Sequence, residues 1–250
     1  MRKTQVEIVC CSVDDCVAAH HGGADRIELW AAIPLGGLTP PLGMYVEAKS
    51  RVGLPYMVMV RPRPAGFNYT EAEFANMERD VEIFREHDAE GAVFGVLTDN
   101  GSLDLARNRR LVERCGKMQK VCHRCFEVVP DPFEALEQLI DLGFTRLLTS
   151  GQQASVVEGE DLVRRLIEKA NGRIEIMPGA GFRLGNMRGF VERTGCSQVH
   201  LTAYGEPTSD SSTAHRADIR YGAAELPDDT SYNVTSVAVV EAAVREVNGS

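Results

Sequence analysis

The stretch VCHRCFEVVPDP, residues 121–132, places two cysteines three apart with a histidine and an arginine between them. Two readings compete for it. In a zinc knuckle or a disulfide exchanger, Cys-x-x-Cys is itself the site. In a β-strand the thiols are incidental and the histidine matters more. Read as a strand, KVCHR (120–124) sends Cys122 and Cys125 to opposite faces, while His123 and Cys125 share one. A shared metal would then require the strand to end between the cysteines and the chain to turn. No second Cys/His pair sits at finger spacing, so the strand is the preferred reading.

Similar short apolar runs recur along the chain of 250 residues: VEIVC (6–10), DRIELW (25–30), YMVMVR (56–61), GAVFGVL (91–97), TRLLTS (145–150), RIEIMP (173–178) and QVHLT (198–202). Amphipathic helical patterns lie between them. SVDDCVAAHHGG has Ser12 as N-cap and Gly22 as stop. In FANMERDVEIFREH, Phe74, Met77, Val81 and Phe84 form one buried stripe. DLARNRRLVERCG, DPFEALEQLIDLG, DLVRRLIEKANG and LGNMRGFVERTG each end at or near glycine, and TSVAVVEAAVREV closes the chain after a polar stretch, 205–232. Eight strands alternating with eight helices predict a closed parallel TIM (β/α)8 barrel, with residues 1–250 as a single domain. An open doubly wound sheet is the alternative. Its first turn would usually carry Gly-x-Gly-x-x-Gly, and CCSVDDC (10–16) has no glycine.

Composition narrows the function classes. With 44% hydrophobic residues the chain can bury a substantial core. A net charge of -9 without a Lys/Arg block argues against nucleic-acid and anionic-membrane partners, and no run approaches the roughly 18 apolar residues of a membrane span. Seven scattered cysteines and the lack of a basic-then-apolar leader predict reduced thiols and a cytoplasmic location.

A barrel assembles its active site from strand ends, and here those ends carry a polar ring. Glu7 lies in the first strand and Glu28 in the second. Arg61 and Arg63 close the third, His123 and Arg124 the fifth, Thr149 and Ser150 the sixth, His200 and Thr202 the eighth. Ionised groups in such apolar runs are costly unless paired. One reading is therefore a Glu–Arg network that plugs the barrel. The other is a pocket in which arginines hold a small anionic or polyhydroxy ligand while Glu28 and His123 handle protons. In MPGAGF (177–182), Gly179 and Gly181 follow the seventh strand, where barrels often bind phosphate; a tight turn would need the same glycines. Glu7, Glu28, His123 and His200 offer ligands for a divalent metal, though their spacing does not single one out. Met57 and Met59 read as barrel packing whose thioethers would suit a soft metal.

These blocks, GGADRIEL (22–29), GGLTP (36–40), VMVRPR (58–63), VFGVLT (93–98), HRCFE (123–127), LGFTRLLTSG (142–151), GRIEIMPGAG (172–181) and IRYG (219–222), resemble the CutC family, the copper homeostasis proteins. The resemblance implies a TIM barrel, a cytoplasmic homo-oligomer and Cu(I) binding through two cysteines. At the positions matching those cysteines this chain has Val9 and Trp30, which cannot replace thiolates for Cu(I). The family's His-Arg-Ala-Phe-Asp is His-Arg-Cys-Phe-Glu here, and its Met-Pro-Gly-Gly-Gly is Met-Pro-Gly-Ala-Gly. Three functions follow as expectations: a copper-handling protein, an enzyme of lyase or isomerase type with Glu28, His123, Arg61 and Arg124 as its machinery, or a scaffold.

Overall fold

The computed structural model describes residues 3–209, 212 and 231–249. Among them, eight parallel strands form one sheet: β1 Gln5–Cys10, β2 Arg26–Leu29, β3 Tyr56–Met59, β4 Gly91–Phe94, β5 Gln119–Cys122, β6 Arg146–Thr149, β7 Glu175–Pro178 and β8 Gln198–Leu201. Neighbours in sequence pair in order, and β8 returns to β1 with Glu7 opposite His200. One parallel bridge, Gly179 to His200, closes the remaining seam between β7 and β8. Only glycine fits there, because an added Cβ would stand 2.7 Å from Leu148 Cδ1 and 2.9 Å from His200 Cδ2. The TIM barrel expected from the sequence is the fold.

The helices are α1 Val13–His21, α2 Leu42–Arg51, α3 Glu71–Glu86, α4 Leu105–Cys115, α5 Pro132–Leu142, α6 Glu160–Ala170, α7 Met187–Thr194 and α8 Val237–Asn248. Their ends follow local chemistry. The Ser12 side chain accepts from the Asp15 N–H, and Gly22 terminates α1. Thr70 and Glu73 form a reciprocal capping box on α3. Asp131 caps α5 ahead of Pro132, and Gly143, at φ 87°, ends it. The stripe Phe74, Met77, Val81 and Phe84 is buried as the 3.6-residue period requires.

Two apolar layers result. The larger lies between strands and helices, and the smaller fills the barrel itself: Met57, Met59, Val93, Val121, Leu148 and Met177, with Trp30 against them. The sulfurs of Met57 and Met177 face the guanidiniums of Arg146 and Arg26.

One expectation fails. The strand carrying VCHRC stops at Cys122, and His123 caps a 3-10 helix, Arg124–Val128. Because the chain turns at once, Cys122 and Cys125 do not diverge to opposite faces; their Sγ atoms are 3.7 Å apart. Most of the stretch 205–232, including IRYG (219–222), lies outside the described residues, and Thr208–Ser209 pairs antiparallel with Ser231–Tyr232 at its base. Among the described residues no helix is long and apolar enough to cross a membrane.

Candidate functional site

At the C-terminal end of the strands a cavity of about 320 Å³ is lined by Glu28, Trp30, Gly36, Met59, Arg61, Phe67, His123, Arg124, Glu127, Leu148 and His200. Strand register explains the convergence. Inward positions alternate along each short strand, and the chain ends β3 and β5 just before Arg61 and His123, leaving their side chains at the rim.

Beneath the cavity runs a buried chain of charges. Arg26 pairs with Glu7, and its other nitrogens reach Gln5 and Gln198 at 3.2 and 2.7 Å. Glu7 accepts from His200 Nδ1 at 2.8 Å, and His200 Nε2 faces Glu28 at 3.4 Å. Burial favours a protonated Glu7, but Arg26 and the His200 hydrogen bond outweigh it and hold this carboxyl well below the usual range. Glu28 lacks such a partner. Its burial, reinforced by the Glu7 charge and only partly countered by His200, pushes it up to about 7. His200 moves upward as well, since Glu28 and Glu7 outweigh the burial that disfavours imidazolium. The two groups interact, so His200 and Glu28 titrate as a pair rather than singly.

Glu7, Glu28 and His200 each bring a ligand atom within 4.8 Å of the others. The imidazole, however, addresses the two carboxylates through opposite nitrogens, and Arg26 already engages Glu7. The arrangement suits proton transfer better than chelation.

The cations at the rim differ from one another. Arg61 is buried and donates to the carbonyls of Leu35, Gly36 and Gly37 at 3.1, 3.1 and 2.9 Å and of Ala65 at 2.8 Å. It forms no ion pair among the described residues, so the carbonyls engage its nitrogens while no carboxylate neutralises its charge. Its guanidinium lies over Phe67, which in turn packs on His123. Arg124, with a side chain 45% exposed, reaches Ser150 Oγ at 3.1 Å and approaches Glu127 at 3.6 Å. Glu127 accepts from the backbone N–H groups of Ser150 and Gln152 and from the Thr149 hydroxyl, fixing the loop after β6.

Among the described residues, several polar atoms at this mouth are buried without a hydrogen-bond partner: both oxygens of Glu28, Trp30 Nε1, Arg61 Nε and His123 Nε2. His123 Nδ1 accepts from the Cys125 N–H at 3.2 Å, which in the neutral ring leaves Nε2 as the proton-bearing nitrogen. The cavity thus presents donors from Trp30, Arg61 and His123 opposite an acid–base pair.

Not every residue singled out in the sequence lines this cavity. Arg63 is drawn away to Glu73 of the α3 capping box at 2.6 Å and to loop carbonyls, over the ring of Tyr69. Thr149 acts one step back, through Glu127. Gly179 packs on His200, and Gly181, at φ 96°, meets Ser155. Arg26 is not among the residues the sequence reading selects, although an arginine two residues before Glu28 on the same strand face is a readable signal. Glu127 and the ring of Trp30 also line the cavity without being singled out by the sequence pattern.

Comparison with known proteins gives one family. The CutC family model matches residues 4–205. A family protein CutC from Treponema denticola is 41% identical over 237 residues, 95% of this chain and 96% of the relative. The human copper homeostasis protein cutC homolog is 39% identical over 236 residues, 94% of this chain and 86% of that protein. The crystal structure of a CutC protein from Streptococcus agalactiae superposes with a TM-score of 0.76 at 31% identity, covering 79% of this chain and 98% of that one. A thiamine phosphate pyrophosphorylase from Pyrococcus furiosus, at TM-score 0.58 and 13% identity, shares the fold alone.

Proposed function

The chain belongs to the CutC family, and from that premise we propose that its barrel mouth binds a small anionic or polyhydroxy molecule and moves a proton on it. The observation that carries this reading is the cluster of buried polar atoms on Glu28, Trp30, Arg61 and His123 that have no partner among the described residues, around one cavity. Buried polar groups are nearly always satisfied, so a concentration of orphans marks a place where a ligand or water supplies the partners. Arg61 provides the uncompensated positive charge, and Arg124 stands at the more exposed rim. Glu28, held near neutral pH, works as acid or base with His200, while Glu7 fixes the His200 tautomer and Arg26 keeps Glu7 ionised.

The names of relatives refer to copper homeostasis. The thiolate site that the family resemblance implies does not fit this chain. Val9 and Trp30 occupy its positions, and the sulfur lining the cavity is the Met59 thioether. A single-domain chain, a cytoplasmic location and a homo-oligomeric state complete the proposal; seven free cysteines support the location, and the family resemblance supports the oligomer.

The test combines binding with exchange. Inorganic phosphate and sugar phosphates should raise the thermal midpoint of the wild type, and Arg61→Met should lose most of that gain. Glu28→Gln should keep the gain but abolish incorporation of solvent deuterium into a bound sugar phosphate, followed by NMR. Absence of any anion-induced shift in the wild type defeats the binding reading. Undiminished deuterium exchange in Glu28→Gln defeats the proton-transfer reading.

A further inference from the structure

The chemistry at the mouth leaves Cys122 and Cys125 unused, yet the fold brings them together. Both are fully buried, with Sγ atoms 3.7 Å apart. The strand ends at Cys122, and the 3-10 helix capped by His123 swings Cys125 back over that end. Gly95, just past β4, leaves the space they need. A Cβ there would stand 2.3 Å from Cys125 Sγ and 3.1 Å from His123 Cε1. The thiol pair therefore abuts the imidazole that lines the cavity.

Two products are open to such a pair, a bound thiophilic metal or a disulfide. A metal requires both sulfurs as thiolates in an apolar shell, and among the described residues no third His, Cys, Asp or Glu joins them at ligand distance. A disulfide discards both protons and leaves a neutral bond, which suits burial. The two thiols are also unequal. Burial would push Cys125 up, but the hydrogen bond from Cys122 and the neighbouring His123 outweigh it and bring it down to about 6. That same hydrogen bond, with burial, drives Cys122 well above its ordinary value. Elsewhere burial raises the thiols of Cys10, Cys115 and Cys196.

We propose that Cys122 and Cys125 are a peroxide-reactive dithiol that closes reversibly to a disulfide beside the mouth cavity. The Cys125 thiolate attacks a peroxide oxygen; an S–O bond forms, the O–O bond breaks, and hydroxide departs to become water. Cys122 then attacks the sulfenic sulfur. The S–S bond forms, the S–O bond breaks, and oxygen leaves as water with the Cys122 proton. With hydrogen peroxide, two electrons pass from sulfur to the peroxide, giving one disulfide and two waters. A small thiol reverses the bond by exchange. Closure moves Cys125, whose N–H holds His123 Nδ1, and so reorients an imidazole of the cavity. The inference rests on the thiol geometry and stands apart from the function proposed for the cavity.

The folded full-length protein is treated with hydrogen peroxide, then alkylated in denaturant, because both thiols are buried, and digested with trypsin. Cleavage after Arg124 separates the cysteines, so a disulfide links peptide 121–124 to peptide 125–146. The linked pair should appear with the loss of two hydrogens and vanish on treatment with dithiothreitol. It should form on the order of tenfold faster than any oxidation of Cys115. Cys122→Ser should stall at a sulfenic acid trapped by dimedone, and Cys125→Ala should give no link. Full alkylation of both residues as separate peptides after peroxide overturns the proposal. So does wild-type Cys125 passing to sulfinic acid without ever forming the link. The wild-type digest decides even if a variant fails to fold.

Discussion

The lower and upper halves of the barrel interior carry similar residue types but treat them oppositely. Below, Arg26 is matched by Glu7, Gln5 and Gln198, and Arg146 by Glu175 at 2.8 Å and Gln119 at 2.8 Å. Above, Glu28, Trp30, Arg61 and His123 keep buried atoms without hydrogen-bond partners among the described residues. Charges satisfied within the fold hold the barrel together, whereas charges left open mark where something else binds. The plug and the pocket, alternatives in the sequence, are therefore two floors of one interior.

The largest expected effect lies on the lower floor. Arg26→Met strands the Glu7 carboxylate in a buried site, and urea denaturation at pH 7 should show a loss of roughly 3–5 kcal/mol. A loss below about 1 kcal/mol would mean that the lower charges are not a closed network, and the two-floor contrast would collapse.

Next comes the pH response of Glu28. Its folded value of about 7 exceeds the ordinary 4.5, so the fold keeps a proton that the unfolded chain releases. The stability it contributes is complete below about pH 4.5 and is lost as pH rises to about 7, on the order of 3 kcal/mol in all. His200, also raised, loses its contribution in the same upward direction, whereas Glu7, lowered, loses its own only as pH falls below the ordinary carboxylate value. Glu28→Gln is neutral at every pH. The variant should match wild type near pH 4 and exceed it by about 3 kcal/mol at pH 8. Parallel stability curves for the two proteins would show that Glu28 is not held near neutrality.

Much of this was readable beforehand, for definite reasons. Eight strands stood out because β-branched and apolar runs alternate with helices whose caps are spelled in Ser12, Thr70, Asp131 and Gly143. Glu28, His123 and Arg61 stood out because polar groups at strand ends are costly and barrels place chemistry there. What stayed hidden depends on contacts between segments far apart in sequence. That Arg26 answers Glu7 requires the β1–β2 register. That Cys122 and Cys125 meet requires the strand to stop one residue before His123, a boundary set by pairing with β4 and β6 rather than by local propensity.

The third expected effect is smaller. Arg61→Met gives up donors to four loop carbonyls that water can reach again, so stability should fall by about 1–2 kcal/mol. Thermal midpoints with and without phosphate check it. A loss as large as that of Arg26→Met would move Arg61 from the open floor to the closed one.

The smallest effect belongs to Arg63, two residues along the same RPR segment. Its charge is spent on Glu73, within a capping box at the start of α3, and its nitrogens on the carbonyls of Pro64, Gly66 and Asn68. The side chain is one-third exposed, at 33%, and solvent screens the pair. Arg63→Met should therefore cost only a small fraction of the Arg61→Met loss and leave the phosphate-induced midpoint shift unchanged. Salt should erase what little difference remains, because an exposed ion pair weakens as ionic strength rises. In the sequence both arginines close the same strand end, and only the structure separates their partners. If Arg63→Met reduced the phosphate response as much as Arg61→Met, the rim would extend beyond the cavity, and the uncompensated charge of Arg61 would no longer explain where the anion sits.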